Sequence, residues 1–204
     1  MARRRQPPGR REAVRDRARL KRGVRLFLEG IGRDRLGREF ERTVERVTQA
    51  WCDELLSGYT ERPAEILELL PAGARRGWVV ARGLPFTSQC VHHLLPFSGR
   101  AHIAFLPGRS LVGLSKLARL VQCFARRLQI QEDMTEQVLA ALQRRLRPRG
   151  AAVVVEAEHM CMTARGARGH GSRVITAAFS GRLRRRGADR ETALRLLGIG
   201  PRGR

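Results

Sequence analysis

Residues 153–162 read VVVEAEHMCM, an apolar run rich in valine that predicts a buried strand. His159 and Cys161 stand two positions apart at the end of this run. Side chains at positions i and i+2 of a strand project from the same face of the sheet. One strand is therefore predicted to aim an imidazole and a thiolate at the same place.

A second short segment, TSQCVHHLLPF at 87–97, holds Cys90 and His93. Their C-x2-H spacing lets a thiolate and an imidazole reach one ion from a single turn, while His92 between them is expected to point elsewhere. With Cys161 as third ligand, a tetrahedral zinc ion would keep one open position, as catalytic zinc sites do. The remaining histidine of each segment is left for proton transfer. The two segments together predict a zinc hydrolase site.

Each segment taken singly is more typical of buried structural residues, since cysteine is a common core residue and a strand histidine is usually a hydrogen-bonded one. The occurrence of both segments in one chain favours the metal site. Cys52 and Cys123 lie within apolar helical patterns and are predicted to be small buried hydrophobic residues.

The composition of the chain argues against several classes of protein. Four cysteines in 204 residues are too few for a secreted disulfide scaffold, and no stretch is apolar enough to span a membrane. We therefore expect a cytoplasmic protein. The net charge of +22 would suggest a polyanionic partner, but only two of the 41 basic residues are lysines, and aromatic residues make up 5% of the chain. Nucleic acid is thus an unlikely partner, and the Arg-rich ends are expected to be solvated, partly disordered arms.

Apolar periodicity predicts the order of elements. A helix is expected from about residue 36 to 56, followed by two strands, two amphipathic helices and two further strands. In chain order these six elements occupy 78–84, 99–107, 114–128, 134–146, 151–160 and 172–181.

From about Phe27 to Leu197 the chain resembles the GTP cyclohydrolase I family. Three segments carry the resemblance: SQCVHHLLPFSGRAHIAFLP, GLSKLARLVQCFARRLQIQEDMTEQ and EAEHMCMTARG. The resemblance implies an α+β tunnelling fold of order β-β-α-α-β-β, an antiparallel sheet with two helices, preceded by a helical N-terminal arm. It also implies a toroidal homodecamer with active sites at subunit boundaries.

The implied reaction is zinc-dependent hydrolysis of GTP at C8, release of formate, and rearrangement to 7,8-dihydroneopterin triphosphate, which feeds pterin and tetrahydrofolate synthesis. By position, Zn²⁺ is held by Cys90, His93 and Cys161, and the catalytic histidines are His92 and His159. The substrate contacts implied by position are Glu132 on the guanine edge with Gln131 before it, and Ser115, Lys116, Arg119, Arg165 and Arg46 on the triphosphate.

The chain departs from the family's usual pattern at several positions. Val91 replaces a carboxylate beside His92, Gln49 replaces a triphosphate-binding lysine, and Val174 replaces a threonine. Val44 and Leu183 stand where a proline and an aromatic residue are usual. Two alternatives therefore remain open: a divergent purine-nucleotide hydrolase that uses another nucleotide or stops at a ring-opened formamide, and a basic zinc protein that binds nucleic acid.

The predicted domain organisation has four parts. Residues 1–24 form an Arg-rich flexible arm, 25–72 a helical N-terminal region, 73–197 the catalytic domain, and 198–204 a flexible tail.

Overall fold

The structure, a computed structural model, describes residues 16–33, 37–75, 77–165 and 169–199. The predictions made for residues 1–15 and 200–204 lie outside this described part. The chain divides into two units, Met1–Glu61 and Arg62–Arg204.

The first unit is helical. Helix α1 (Arg17–Gly30) begins inside the segment predicted to be a flexible arm, and helix α2 (Arg38–Gln49) continues into a π-helical turn, Ala50–Leu55. A short 3₁₀ turn, Ser57–Tyr59, follows. The single helix predicted over 36–56 is therefore an α-helix whose last turns widen to π geometry.

Ion pairs between α1 and the α2 region explain why an Arg-rich segment is helical. Arg25 donates to both carboxylate oxygens of Glu41, at 2.7 and 2.6 Å. The basic residues of these pairs recur every four positions in α1, which is close to one helical turn. They therefore lie on one face of the helix, and this face meets the acidic partners. Each exposed pair contributes at most about 1 kcal/mol. The three pairs are Arg17 with Asp53, Lys21 with Glu45, and Arg25 with Glu41.

The second unit is an α+β structure built on an antiparallel sheet. The elements in chain order are α3 (Pro63–Ile66), β1 (Leu69–Pro71), β2 (Val79–Cys90), β3 (Pro96–Leu106), β4 (Ser110–Val112), α4 (Leu114–Ala125), β5 (Leu128–Gln129), α5 (Gln131–Leu146), β6 (Gly150–His159), α6 (Met160–Thr163), β7 (Val174–Gly181) and α7 (Ala188–Leu197). The five-stranded sheet has the order β5-β2-β3-β6-β7, in which only the short β5 is parallel to its neighbour. The two-stranded sheet pairs β1 with β4.

The main core lies between the five-stranded sheet and helices α4 and α5. The apolar stripes predicted for these helices are buried up to Phe124 and Leu146, which confirms both helices. The first helix was predicted to run to Leu128, but it ends at Ala125, and Leu128 lies in β5. Strand side chains alternate between the faces, so Ile103 and Phe105 join this core. Cys123 is also part of it, as predicted, whereas Cys52 is half-buried. The stripe residues are Leu117, Leu120, Val121, Phe124, Met134, Val138, Leu142 and Leu146.

Helix α7 was not predicted, because its Arg-rich approach was interpreted as a solvated segment. Its apolar side chains, Ala193 and Leu197, pack with Leu183 in a second core against the opposite sheet face. Leu183, where the family usually has an aromatic residue, is fully buried there. Among the described residues, no helix is both long and apolar enough to cross a membrane.

A β-bulge in β2 is held by a histidine of β3. The β2–β3 register shifts between Ala81 and Leu84, and Gly83 takes a left-handed φ of 69°. The N–H of Gly83 donates to Nδ1 of His102 at 3.4 Å, so this nitrogen must be unprotonated. Burial lowers the pKa of His102, and the nearby Arg82 guanidinium adds to this effect.

The lowered pKa of His102 predicts an acid-sensitive fold. Because the unfolded chain binds the proton more readily, the stabilising contribution is complete above the ordinary pKa of 6.5 and is lost as the pH falls through the lower folded value. We expect His102→Gln, whose amide oxygen can still accept from Gly83, to lose less unfolding free energy between pH 7.5 and 5.5 than the wild type. Chemical denaturation at both pH values measures this. Equal losses of unfolding free energy in the wild type and in His102→Gln would contradict the assignment of the acid sensitivity to His102.

Candidate active site

Two thiols and one imidazole converge at one end of the sheet. The ligand atoms of Cys90, His93 and Cys161 all lie within 4.8 Å of one another. Their types are those that bind Zn²⁺, and three of them leave a tetrahedral ion one open position. This grouping agrees with the ligand set predicted from the sequence, and it is compatible with a metal centre.

The turn between β2 and β3 positions Cys90 and His93. Cys90 is the buried last residue of β2, and its N–H donates to the carbonyl of Leu95 at 2.9 Å. Its carbonyl accepts from the N–H of Leu94 at 2.8 Å, and Leu94 takes a left-handed φ of 56°. These bonds fold residues 91–93 back over the strand end, so that His93 Nδ1 lies 4.0 Å from Cys90 Sγ.

Cys161 reaches the group by a different route from the predicted one. Strand β6 ends at His159, and Met160–Thr163 forms the short helix α6. The two side chains therefore do not project from one strand face, and that expectation was wrong. The helical turn separates their directions: Cys161 joins Cys90 and His93, while His159 contacts other residues.

The electrostatics of the thiols match a cation site. Burial raises the pKa of Cys161, and the nearby Cys90 thiol raises it further because two adjacent thiolates repel each other. A divalent cation between the two sulfur atoms would reverse both effects, since it stabilises thiolates. The donor set therefore fits a thiophilic metal ion such as Zn²⁺.

His92 lies closer to the cluster than its spacing suggested. Its Nδ1 is 3.9 Å from Cys90 Sγ, nearly the same distance as that of His93, although His92 is not part of the three-donor group. Its ring meets the His93 ring edge to face at 6.3 Å. An exposed imidazole in this position can carry a proton beside the cluster.

His159 is held on one edge and stacked on one face. Its Nε2 lies 2.7 Å from Oε1 of Gln131, and its ring is parallel to that of Phe97, with centroids 4.6 Å apart. Burial lowers the pKa of His159, while the carboxylate of Glu132 partly opposes this effect. The ring is therefore neutral at pH 7 and can accept a proton.

Strand β5 brings the start of α5 to the same end of the sheet. It pairs with the end of β2, with Gln129 opposite Cys90, and the Gln129 carbonyl accepts from Val91 N–H at 3.1 Å. Helix α5 begins two residues later, with Gln131 buried and Glu132 exposed in its first turn. An exposed carboxylate here can accept two hydrogen bonds from adjacent N–H donors.

The predicted triphosphate contacts are distributed over both units. Ser115, Lys116 and Arg119 lie in the first two turns of α4, where Lys116 Nζ forms an ion pair with Glu68 at 3.2 Å. Arg165 follows α6, and its guanidinium contacts His93 Nε2 at 3.0 Å. Arg46 lies on α2 in the first unit, 3.9 Å from Glu39. Among the positions that depart from the family pattern, Gln49 ends α2, and Val91 is 42% exposed.

Three residues near His159 were not singled out in the sequence. Phe97 stacks on its ring, and Thr135 and Thr176 bond to Gln131. Phe97 ends the segment that holds the C-x2-H pair, on the strand that follows the turn. This position could have indicated that Phe97 lies close to the site. The sequence holds no comparable signal for the two threonines, since they lie 41 residues apart and meet only when α5 packs on β7.

One family model and several named relatives are similar to this chain. The family model described as GTP cyclohydrolase I matches residues 20–198. A GTP cyclohydrolase 1 of Wolinella succinogenes is 46% identical over 169 residues, which is 82% of this chain and 90% of the relative. That of Brucella anthropi is 46% identical over 162 residues, covering 78% and 76% of the two chains, and that of Pelotomaculum thermopropionicum is 42% identical over 183 residues, covering 89% and 97%.

The solved structure of archaeosine synthase QueF-Like in the apo form is only distantly similar, with a TM-score of 0.42 at 15% identity over 52% of this chain and 92% of that one. The family match extends over both units and includes every residue of the predicted site. The chain belongs to the GTP cyclohydrolase I family.

Proposed function

We propose that this protein hydrolyses GTP at C8, releases formate, and rearranges and recloses the opened ring to 7,8-dihydroneopterin triphosphate. The observation that carries the proposal is the convergence of Cys90, His93 and Cys161, with a neutral histidine two residues from one of them. Membership of the GTP cyclohydrolase I family supports it, as do the relatives of that name.

The metal ion proposed for the three-donor group is Zn²⁺. When bound there, it would supply a Lewis acid and a nucleophile active near neutral pH. The buried Cys90 and the half-buried Cys161 limit access of water to the sulfur side of the group. The exposed His93 leaves the opposite side open to a substrate.

The two remaining histidines are the proposed proton carriers. His159, whose pKa is lowered by burial, is neutral and can take a proton as the purine ring opens. His92 is exposed beside the cluster and can deliver a proton in a later step. Glu132 is proposed to orient the purine, because its carboxylate matches the adjacent N1–H and amino donors of guanine. This recognition selects guanine over adenine, which lacks that pair of donors.

A basic surface is proposed to bind the triphosphate. Arginine side chains suit this role because their planar N–H groups bind phosphate oxygens in pairs. Gly113 precedes α4, so the first amides of that helix also favour an anion. The proposed contacts on this surface are Ser115, Lys116, Arg119 and Arg165. Arg46, on α2, is proposed to reach the triphosphate bound by a neighbouring subunit.

Glu68 competes with the triphosphate for Lys116. The ion pair must open before Lys116 Nζ can bind phosphate, and an exposed pair contributes about 0.2–1 kcal/mol. We therefore expect Glu68→Gln to lower the KM for GTP by up to about fivefold with little change in kcat. Glu65→Gln is the matched control, because Glu65 is also an exposed acid in an ion pair, with Arg62 at 3.1 Å. Equal KM values in both variants would contradict the competition.

The test of the proposed function is incubation of the purified, zinc-loaded protein with GTP. Formate release and the fluorescent pterin formed after oxidation are followed together. Formate and pterin in equal amounts support the full reaction. Unchanged GTP contradicts it, and formate without pterin, or an opened ring that keeps its formyl group, indicates a reaction that stops early.

Val91 favours a second candidate, a purine-nucleotide hydrolase that stops at an opened ring or acts on another nucleotide. An apolar side chain stands where a carboxylate could stabilise a protonated His92. We expect Val91→Glu to raise the rate of pterin formation relative to formate release, and Val91→Gln, similar in shape but uncharged, to leave the ratio unchanged. Equal ratios in all three proteins would exclude this role of position 91.

The finer features of the assembly are proposals as well. We propose the tunnelling fold, because the order of the main elements is the predicted β-β-α-α-β-β. We propose a toroidal homodecamer from membership of the family alone. A cytoplasmic location and the four-part domain organisation remain predictions. Sedimentation of the full-length protein tests the decamer.

A further inference from the structure

We propose that Thr135 and Thr176 are positioning residues that act through Gln131 to hold the His159 ring in one orientation, with its proton on Nε2. This inference rests on the proposed function only in assigning His159 to the reaction. It is independent of the predicted substrate contact of Gln131, which remains a prediction. The argument begins with the hydrogen bonds of one buried amide.

The side chain of Gln131 is only 1% exposed, and both of its polar ends have protein partners. Its Nε2 lies 3.1 Å from the carbonyl oxygen of Val155, 3.0 Å from that of Val174 and 3.2 Å from Oγ1 of Thr176. Its Oε1 lies 2.7 Å from Nε2 of His159. The amide therefore connects two strands of the sheet to the histidine at the end of β6.

These partners fix which way the amide points. Carbonyl oxygens only accept, so the N–H groups of Gln131 must face Val155 and Val174. The atom that faces His159 is then Oε1, which also only accepts. His159 Nε2 must therefore donate, and in the neutral ring Nδ1 keeps the lone pair. Because Val174 takes part through its main chain, the absence of the family's usual threonine at this position does not remove the bond.

The two threonines complete the network, and the donor and acceptor of each of their hydrogen bonds can be assigned. Thr135 Oγ1 donates to the carbonyl of Gln131 at 2.8 Å, which uses its only hydrogen. In the 2.6 Å contact between the two hydroxyls, Thr176 must then be the donor. Thr176 Oγ1 is left as an acceptor toward Gln131 Nε2, whose two hydrogens are shared among this oxygen and the carbonyls of Val155 and Val174. The hydroxyls thus brace both the main chain and the side chain of the residue that orients His159.

Stacking restricts the ring in the remaining direction. The Phe97 ring lies parallel to the imidazole, with 2° between the planes, so the ring cannot tilt without losing this contact. A ring fixed by one face and by Nε2 has Nδ1 as its proton-accepting atom. Removing a hydroxyl that braces Gln131 should loosen this arrangement without removing any group that touches substrate or metal.

The test compares Thr176→Val with Thr176→Ser in the full-length, zinc-loaded protein. Valine keeps the shape and removes the hydroxyl, whereas serine keeps the hydroxyl. We expect Thr176→Val to lower kcat for GTP by about tenfold, the scale of one hydrogen bond, with unchanged KM and zinc content. Thr176→Ser should restore most of kcat. Wild-type kcat in the valine variant, or failure of serine to restore it, would overturn the proposal.

A second pair controls for the loss of any buried threonine hydroxyl. Thr135→Val should reproduce the loss of kcat, because it removes the partners of both Gln131 and Thr176. Thr48→Val is matched to it: Thr48 is also 1% exposed, and its hydroxyl donates to the carbonyl four residues earlier, at 2.7 Å. An equal loss of kcat in both would mean a general effect on stability and would overturn the proposal. If Thr176→Val does not fold, the comparison of Thr135→Val with Thr48→Val tests the proposal in its place.

A spectroscopic measurement separates this inference from the proposed function. Solid-state ¹⁵N spectra of protein labelled at its five histidines report which ring nitrogen carries the proton, and His159→Gln identifies the His159 signals. We expect a single Nε2–H form in the wild type and a mixture in Thr176→Val. This shift without GTP turnover would support the positioning network and refute the proposed function. GTP turnover by a wild type whose His159 carries its proton on Nδ1 would refute the network but not the proposed function. The same conclusion would follow if Thr176→Val gave the same His159 spectrum as the wild type.

Discussion

Replacement of Cys161 by alanine should abolish zinc binding and, with it, hydrolysis of GTP. The variant leaves two ligands, Cys90 and His93, on one turn, and two ligands hold a zinc ion far more weakly than three. Losing a residue that merely supports a ligand typically costs about 10- to 100-fold in metal affinity, so the loss of a ligand should exceed about 100-fold. Zinc content per chain and formate release, measured on the same sample, check this result.

Cys52→Ala is the matched control for this experiment. Cys52 is also a half-buried free cysteine, but it lies in the π-helical turn of the first unit, outside the three-donor group. We expect one zinc ion per chain and wild-type turnover in this variant. Full zinc content in Cys161→Ala would contradict the assignment of Cys161 as a ligand, even if activity were lost.

The second large effect is expected for His159→Ala. Loss of a group that transfers a proton typically lowers kcat by about 10²- to 10⁴-fold, while the three proposed zinc ligands remain in place. The KM for GTP should change much less than kcat, because Glu132 and the basic residues proposed to bind substrate are unaltered. Steady-state kinetics with a zinc determination measure both quantities.

His170→Ala serves as the control for removing a histidine. His170 is exposed and lies outside the three-donor group. It should keep wild-type kcat and zinc content. A fall in kcat of less than about tenfold in His159→Ala would mean that another group transfers the proton, with His92 the next to be replaced.

Local patterns in the sequence were enough to predict helices α4 and α5. Their apolar residues recur every three or four positions, and a helix presents such residues on one face whatever it packs against. The grouping of Cys90 with His93 could also be predicted, because C-x2-H brings two donors together within a single turn. The proposed triphosphate and guanine contacts came only from resemblance to the family, since a lysine, an arginine or a glutamate on a helix is usually a solvated residue.

Helix α1 shows where charge misleads a reading of the sequence. Dense arginine with little apolar material is typical of a disordered segment. Here Lys21 and Arg25 find acidic partners on α2, and those partners are more than fifteen residues away in the chain. Composition records the charges but not which of them will meet.

The sequence by itself determined the donor types of the three-donor group, the two amphipathic helices and the family. The tertiary structure decided how Cys161 arrives, through a helical turn and not along the strand, and which partners hold His159. The bonds of Gln131 to His159 and to Thr176 join residues 28 and 45 positions apart. Such bonds depend on the packing of a helix against a sheet, and no local periodicity encodes them, because each partner alone is an ordinary polar residue in a regular element.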